Sequence, residues 1–240
     1  MNFNISILLL ISTLAFYSCK DGANSGNNKH SDKSGGTFVM AENIEIGSLY
    51  PVSVTNQVEA LVVAQLHESL VRLDAKTLEV IPGLAEKWEI SPDGKKITFH
   101  LTKNAHFQDD KCYKDGKGPE ITSKDVLFSL TNICTKTSDN YQFNTLLKGR
   151  LVGADDFFDK KTQAVSGIKI IDDYTFSLEL VNPSLSFLKL LANPAAAIIN
   201  ETAFKAYGNN LKTGAGPFMY DATSNKDKIV LSIKILIKNL

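Results

Sequence analysis

The chain has 240 residues, 43% hydrophobic and 22% charged, which is enough apolar material for one large domain or two small ones. Lysine plus arginine equals aspartate plus glutamate at 26 each, so the composition lacks the basic footprint of a nucleic-acid-binding protein.

The first element is an apolar run over residues 5–17, containing Ile-Leu-Leu-Leu-Ile-Ser-Thr-Leu-Ala-Phe-Tyr and ending at Ser18-Cys19. It is short for a membrane span, which needs about 20 apolar residues. It resembles a bacterial lipoprotein signal, which implies that residues 1–18 are removed and that Cys19 is lipidated. Phe16 and Tyr17 before the cysteine, and the absence of Lys and Arg from the first residues, depart from that pattern. Residues 19–36 then carry the anchor and a Gly/Ser/Asn/Lys tether too polar to pack, with His30 a solvated residue within it. Residues 37–41 (Thr-Phe-Val-Met-Ala) are a strand candidate, and Ser48-Leu49-Tyr50-Pro51 a turn. Residues 57–70 have regularly spaced apolar positions without a breaker and read as a helix.

Residues 82–101 form the clearest local pattern. Trp88 and Ile90 alternate with Lys87 and Glu89, Ser91-Pro92-Asp93-Gly94 makes the turn, and Ile97, Phe99 and Leu101 alternate on the return arm. A second hairpin covers residues 168–180, with Asp172-Asp173 at its turn. Between them, residues 111–120 form a loop. Residues 122–134 form a helix started by Thr122 with Asp125 three places on, as in a capping box. Residues 185–191 are a short helix and residues 195–199 a buried strand. Residues 201–207 are a helix stopped by Gly208, and Gly214-Ala215-Gly216-Pro217 is a tight loop.

In an exported chain, the two cysteines besides Cys19 suggest one disulfide, Cys112–Cys134. A metal pair and two free thiols are the alternatives. The metal reading would use His106, Asp109 and Asp110 with Cys112, a spacing that does not by itself make a closed ligand shell. Motifs of metalloproteases, nucleophile elbows and phosphate-cradling loops are absent from the sequence. The loose S-x-x-K pattern occurs at Ser166 with Lys169 and at Ser186 with Lys189, without the companions that a Ser/Lys hydrolase carries.

Taken in order, the motifs resemble extracellular solute-binding protein family 5, the peptide- and nickel-type ABC importers. Ser48-Leu49-Tyr50-Pro51 stands for S-L-D-P. Leu66-His67-Glu68-Ser69-Leu70 stands for L-[YF]-E-G-L, and Pro82-Gly83-Leu84-Ala85-Glu86-Lys87-Trp88 for P-x-L-A-x-x-W. Ala105-His106-Phe107 stands for A-x-[FW], Ile121-Thr122-Ser123-Lys124-Asp125-Val126 for [VL]-T-A-x-D-V, and Gly214-Ala215-Gly216-Pro217-Phe218 for G-T-G-P-[FY]. Tyr50 replaces the usual aspartate and His67 an aromatic.

The resemblance implies a mixed α/β (α+β) fold of the periplasmic-binding-protein-like type II, cluster C. It implies a core lobe of residues 37–67 with 193–231, interrupted by an inserted domain of residues 68–192. The second lobe that closes over the ligand is then missing, and residues 232–240 read as a truncation or frameshift tail. It further implies a monomeric, membrane-anchored lipoprotein facing the periplasm or cell exterior. Such a protein captures peptides noncovalently for ABC permease subunits and uses no cofactor, metal or nucleic acid. Nickel, haem and sugars are bound by some relatives. The implied ligand contacts are the backbones of Thr55, Asn56 and Gln57 and the ring of Tyr141, and no residue is implied to be catalytic. A periplasmic Ser/Lys hydrolase and a scavenging or structural lipoprotein are the alternative functions.

Overall fold

The structure, a computed structural model, describes residues 36–43, 45–225 and 228–233. The expected leader, Cys19, most of the tether and residues 234–240 lie outside these. Residues 42–240 form one compact unit and residues 1–41 another. Among the described residues no helix is long and apolar enough to cross a membrane.

In the first unit, residues 37–41 form no strand, contrary to expectation, and Phe38 and Val39 are exposed. A strand is defined by its ladder partner, and these residues have none among the described part.

The larger unit is built on a four-stranded antiparallel sheet made from the two expected hairpins. β3 (Ala85–Ile90) pairs with β4 (Lys96–Leu101), and β5 (Ile168–Asp172) pairs with β6 (Thr175–Glu179). β4 and β6 join them in the order β3-β4-β6-β5. The alternation sets which face is buried on the central strands. Trp88, Phe99, Phe176 and Ile170 stand opposite one another across the strands; Phe99 and Phe176 are buried with their rings stacked at 5.1 Å, whereas Trp88 is half-buried and Ile170, on the edge strand, is exposed. The β3–β4 turn closes through Gly94 N–H to the Ser91 carbonyl, with Gly94 at φ 69°, where a side chain would be strained. Preceding this sheet, β1 (Val71–Leu73) and β2 (Val80–Pro82) form a small hairpin, its turn organised by Asp74 accepting from the amides of Lys76 and Thr77.

The helices cover the sheet's apolar face. α2 (Ser123–Ile133) begins as the sequence suggests: the Asp125 carboxylate accepts from the Thr122 amide at 2.9 Å and from its hydroxyl at 3.1 Å. α2 buries Val126, Leu130 and Ile133. Short helices α3 (Phe143–Leu146), α4 (Ala154–Phe158) and α5 (Phe187–Leu191) follow, and Phe143 stacks on Phe158 at 4.0 Å. α6 (Glu201–Tyr207) has Asn200 as N-cap and ends at Gly208. One continuous hydrophobic core runs through all of these elements, from Tyr50 to Leu211.

α1 (Gln57–Leu66) is shorter than expected. The apolar pattern continues to Leu70, but the chain leaves the helix at His67, and Glu68 makes an antiparallel bridge with Ile198. That bridge also overturns the strand expected at residues 195–199, which are a 3-10 turn at Pro194–Ala196 followed by this single pairing. The Leu66 carbonyl left free at the helix end accepts from Gly216 N–H at 2.9 Å. A Cβ on Gly214 or Gly216 would lie 2.4 Å from the Leu66 carbonyl or 2.3 Å from the Gln65 carbonyl, so only glycine fits at either place. Gln108 holds the same segment from the other side. Its side-chain amide donates to the carbonyls of Gly216 (3.1 Å) and Phe218 (2.6 Å), and its backbone amide to that of Gly214 (2.8 Å). The segment then enters β7 (Phe218–Tyr220), which pairs with β8 (Leu231–Ile233), so Ser232 and Ile233 sit in a regular ladder.

The disulfide expected between Cys112 and Cys134 is not made in this structure: both are free thiols. They are held in different surroundings. Burial and the neighbouring Asp110 push the Cys112 thiol up to about 12. Cys134 is fully buried at the end of α2, pushed up to about 12 by burial with Asp155 adding to it.

Candidate functional site

The residues implied to touch ligand lie at the start of α1. Asn56 is its N-cap, with its side-chain oxygen accepting from the Glu59 amide at 3.0 Å. The same residue is extended, with φ −141° and ψ 167°. Its own carbonyl is taken by Ala60 N–H, the first helical bond. The Thr55 amide is taken by the Glu59 carboxylate at 2.8 Å, and the Thr55 hydroxyl by the same oxygen at 3.0 Å. Three backbone groups remain without a partner among the described residues: the Thr55 carbonyl and the amides of Asn56 and Gln57. Around an extended residue, the preceding carbonyl and the following amide point to the same side. They form the two halves of a parallel bridge to one residue of another strand. Thr55 and Gln57 are exposed, so this edge faces outward.

The fold brings Tyr141 to the same place. Gln142 donates its side-chain amide to the Val54 carbonyl at 2.6 Å, linking the residue after Tyr141 to the residue before Thr55. Asp139 accepts from the Ser53 hydroxyl at 3.4 Å and from the Asn209 side chain. Hydrogen bonds from Thr137, Asn209 and Ser53 outweigh partial burial and hold its carboxyl below the usual range. Tyr141 itself is 55% exposed beside this junction.

Sequence reasoning missed Glu59. An acidic residue in a first helical turn looks like ordinary dipole compensation, yet Glu59 is 3% exposed. Burial pushes its carboxyl up, but hydrogen bonds from Thr55 and Gly47 outweigh burial and leave it below its ordinary value.

Other candidates are not brought together. Asp109 pairs with Lys117, Asp110 accepts from Tyr207 and from the Cys112 amide, and His106 faces the Asn104 carbonyl. Among the described residues no group of three or more His, Cys, Asp or Glu could hold a metal ion. Ser166 and Lys169 are both exposed and share no hydrogen bond, and the Ser186 hydroxyl meets that of Ser184, not Lys189. Tyr50, in place of the usual aspartate, is buried with its ring 5.0 Å from that of Phe204. A surface hollow of about 460 Å³ lies between the hairpin ends, lined by Lys87, His100, Asp172 and Tyr174. Another, of about 270 Å³, is lined by Gln65, Glu68, Arg72 and Pro217. Neither reaches Thr55, Gln57 or Tyr141, whose edge is open.

The family model for Bacterial extracellular solute-binding proteins, family 5 Middle, matches residues 79–233. The chain belongs to this family. The periplasmic oligopeptide-binding protein OppA of Salmonella typhimurium is 29% identical over 204 residues, covering 85% of this chain and 36% of that protein. The dipeptide-binding protein of Escherichia coli is 36% identical over 138 residues, 57% of this chain and 24% of its own length. This family member therefore spans about a third or less of the curated relatives it matches. Among solved structures, the oligopeptide-binding protein OppAIV of Borrelia burgdorferi superposes with a TM-score of 0.70 at 27% identity, covering 79% of this chain and 37% of that one. DppA of Helicobacter pylori, in complex with peptide STSA, gives 0.64 at 26% identity over 80% and 38% of the two chains. The fold is thus the mixed α/β, periplasmic-binding-protein-like architecture of the OppA type.

Proposed function

We propose that this chain captures peptides noncovalently for an ABC importer, by adding an extended peptide to the edge at Thr55, Asn56 and Gln57 beside the ring of Tyr141. The observation that carries this is the extended Asn56 flanked by an unpaired carbonyl and an unpaired amide on one side. Main-chain pairing of this kind gives affinity without selecting a sequence, which suits proteins named for oligopeptides and dipeptides. The matched structures include OppA of Haemophilus influenzae complexed with RPPGFSPFR.

The α1 start offers a clean test. Gln57 is the first helical residue, a position where proline is well tolerated because no helical bond uses its N–H. The residue before it must then be extended, as Asn56 already is. Gln57→Pro should thus keep the melting temperature while removing the donor. Titration of a mixed tri- to pentapeptide pool should show affinity lowered by about tenfold, the equivalent of about 1.4 kcal/mol and in the range for one hydrogen bond. Equal affinity in the variant overturns this placement.

The division into a core lobe of residues 37–67 with 193–231 and an inserted domain of residues 68–192 belongs to the same reading. It is supported by the Glu68–Ile198 bridge and the Ser69 hydroxyl donating to the Asn193 carbonyl, which put the departure and return of the chain side by side. Export and lipidation at Cys19 also belong to it, supported by the apolar run that ends there. Labelled palmitate should be incorporated in cells and lost in Cys19→Ser, whereas retention of label by that variant refutes the anchor.

A further inference from the structure

We propose that Glu59 is a positioning residue for peptide capture: its buried carboxylate fixes the extended geometry of Asn56 that turns the Thr55 carbonyl and the Gln57 amide to one side. The proposal rests on the peptide reading above.

A carboxylate in a protein interior is costly unless it is paired or fully hydrogen-bonded. Among the described residues no lysine, arginine or histidine makes an ion pair with Glu59. Its environment is instead made of hydrogen-bond donors. One oxygen accepts from the Gly47 amide at 3.0 Å, and the other from the Thr55 amide at 2.8 Å and hydroxyl at 3.0 Å. Its backbone amide donates to the Asn56 side chain. The Ser48 amide adds to them, so these contacts fall on residues 47, 48, 55 and 56. The carboxylate thus closes the loop 47–55 on the helix start and holds Thr55, the residue that leads into the extended Asn56, while the Glu59 backbone amide holds the Asn56 side chain.

Compensating the helix dipole does not account for this arrangement. A solvent-exposed Glu in the first turn does that at no desolvation cost, whereas Glu59 is turned inward onto Thr55 and Gly47. Taking up the Thr55 amide also has a directional effect. It fixes the orientation of the Val54–Thr55 peptide group, from which the chain runs directly into the Thr55 carbonyl and the extended Asn56. Gln142, bonded to the Val54 carbonyl, holds the other polar group of the same peptide unit, so that unit is fixed from both sides. Glu59 acts through Thr55 and Asn56 and does not itself touch peptide.

Glu59→Gln keeps the shape but supplies one acceptor oxygen in place of two. Its NH₂ end must then face the N–H of either Gly47 or Thr55, so one clamp is lost. The test follows the Gln57 amide of ¹⁵N-labelled protein during titration with trialanine and with the mixed peptide pool, well below the melting temperature of each variant. The unaltered protein should show a saturable shift at Gln57, and Glu59→Gln an affinity lower by about tenfold, in the range for a lost hydrogen bond to a charged group. Gln108→Ala serves as a control for stability alone, because it weakens the fold away from this edge and should leave the affinity unchanged.

A folded Glu59→Gln that binds within about twofold of the unaltered protein overturns the role of Glu59 and leaves the peptide reading standing. An unaltered protein with no response at Gln57 overturns the peptide reading, and this proposal with it. If Glu59→Gln does not fold, Thr55→Val carries the test, since it deletes only the hydroxyl contact at the same shape. A loss of about threefold supports the proposal and an unchanged affinity overturns it.

Discussion

His67 places an imidazole where burial leaves no room for a charge. It is 2% exposed, its Nδ1 would lie 2.5 Å from a Cβ on Gly214, and the carbonyls of Leu211 and Leu49 are its polar neighbours. Burial lowers its pKa to about 4 from an ordinary 6.5, against the opposing pull of the two carbonyls. The unfolded chain therefore binds a proton as pH falls through 6.5, while the folded protein does not until about 4. Stability from this residue is complete above pH 6.5 and is lost across that window, by about 2 kcal/mol at pH 5 and about 3 kcal/mol near pH 4. His67→Phe removes the titrating group and should flatten this part of the acid limb. Urea midpoints of the two proteins at pH 7.5 and pH 5 measure it, and an equal loss in both would rule His67 out as the source. A histidine in place of an aromatic residue reads as structural rather than catalytic, and packing against Gly214 makes it a core ring.

At the scale of elements, what the sequence revealed were the features whose causes are local. The β3–β4 hairpin is specified by alternation on both arms and by Pro92-Asp93-Gly94, all within one stretch. The start of α2 is specified by Thr122 and Asp125, and the end of α6 by Gly208. Features set by distant residues were not legible. α1 runs on in the pattern to Leu70, but it ends at Leu66 because Gly216 takes the Leu66 carbonyl and Ile198 takes up Glu68. The β1–β2 hairpin was missed because its turn depends on the Asp74 side chain and on Leu78 at φ 57°, a conformation unusual for leucine. The candidate edge was located from the spacing of Ser48-Leu49-Tyr50-Pro51 and Leu66-His67-Glu68-Ser69-Leu70. Of the groups that shape it, Gln142 acts across 88 positions and carries no local signal, whereas Glu59 lies four residues from Thr55 at a capping spacing after Asn56, and only its burial was hidden. Cys112 and Cys134 illustrate the converse, since cysteine arithmetic suggests a pair but gives no information about which way each thiol points.

The whole molecule converges on the place where three distant parts of the chain meet: the end of α1, the loop at Gln108 and the segment 213–218. Gln108 is 2% exposed, and its side chain satisfies the buried carbonyl of Gly216 and the partly buried one of Phe218. Gln108→Ala leaves the buried Gly216 carbonyl without this donor, while the partly buried Phe218 carbonyl can turn to water. An unsatisfied buried polar group costs about 1–3 kcal/mol, so the substitution should lower global stability by about that much, a substantial part of what a domain possesses. The loss should be uneven. β7 and β8 are joined to the rest through this clasp and through Gly216 on Leu66, so their amides should exchange with solvent earlier than those of β4 and β6, which lie in the middle of the sheet. Hydrogen exchange followed strand by strand, alongside a urea titration, tests both parts. A change below about 0.5 kcal/mol, the usual size of a surface substitution, would show that water or a shifted backbone replaces the glutamine. Uniform exchange across both sheets would show that β7 and β8 are held by something other than this clasp.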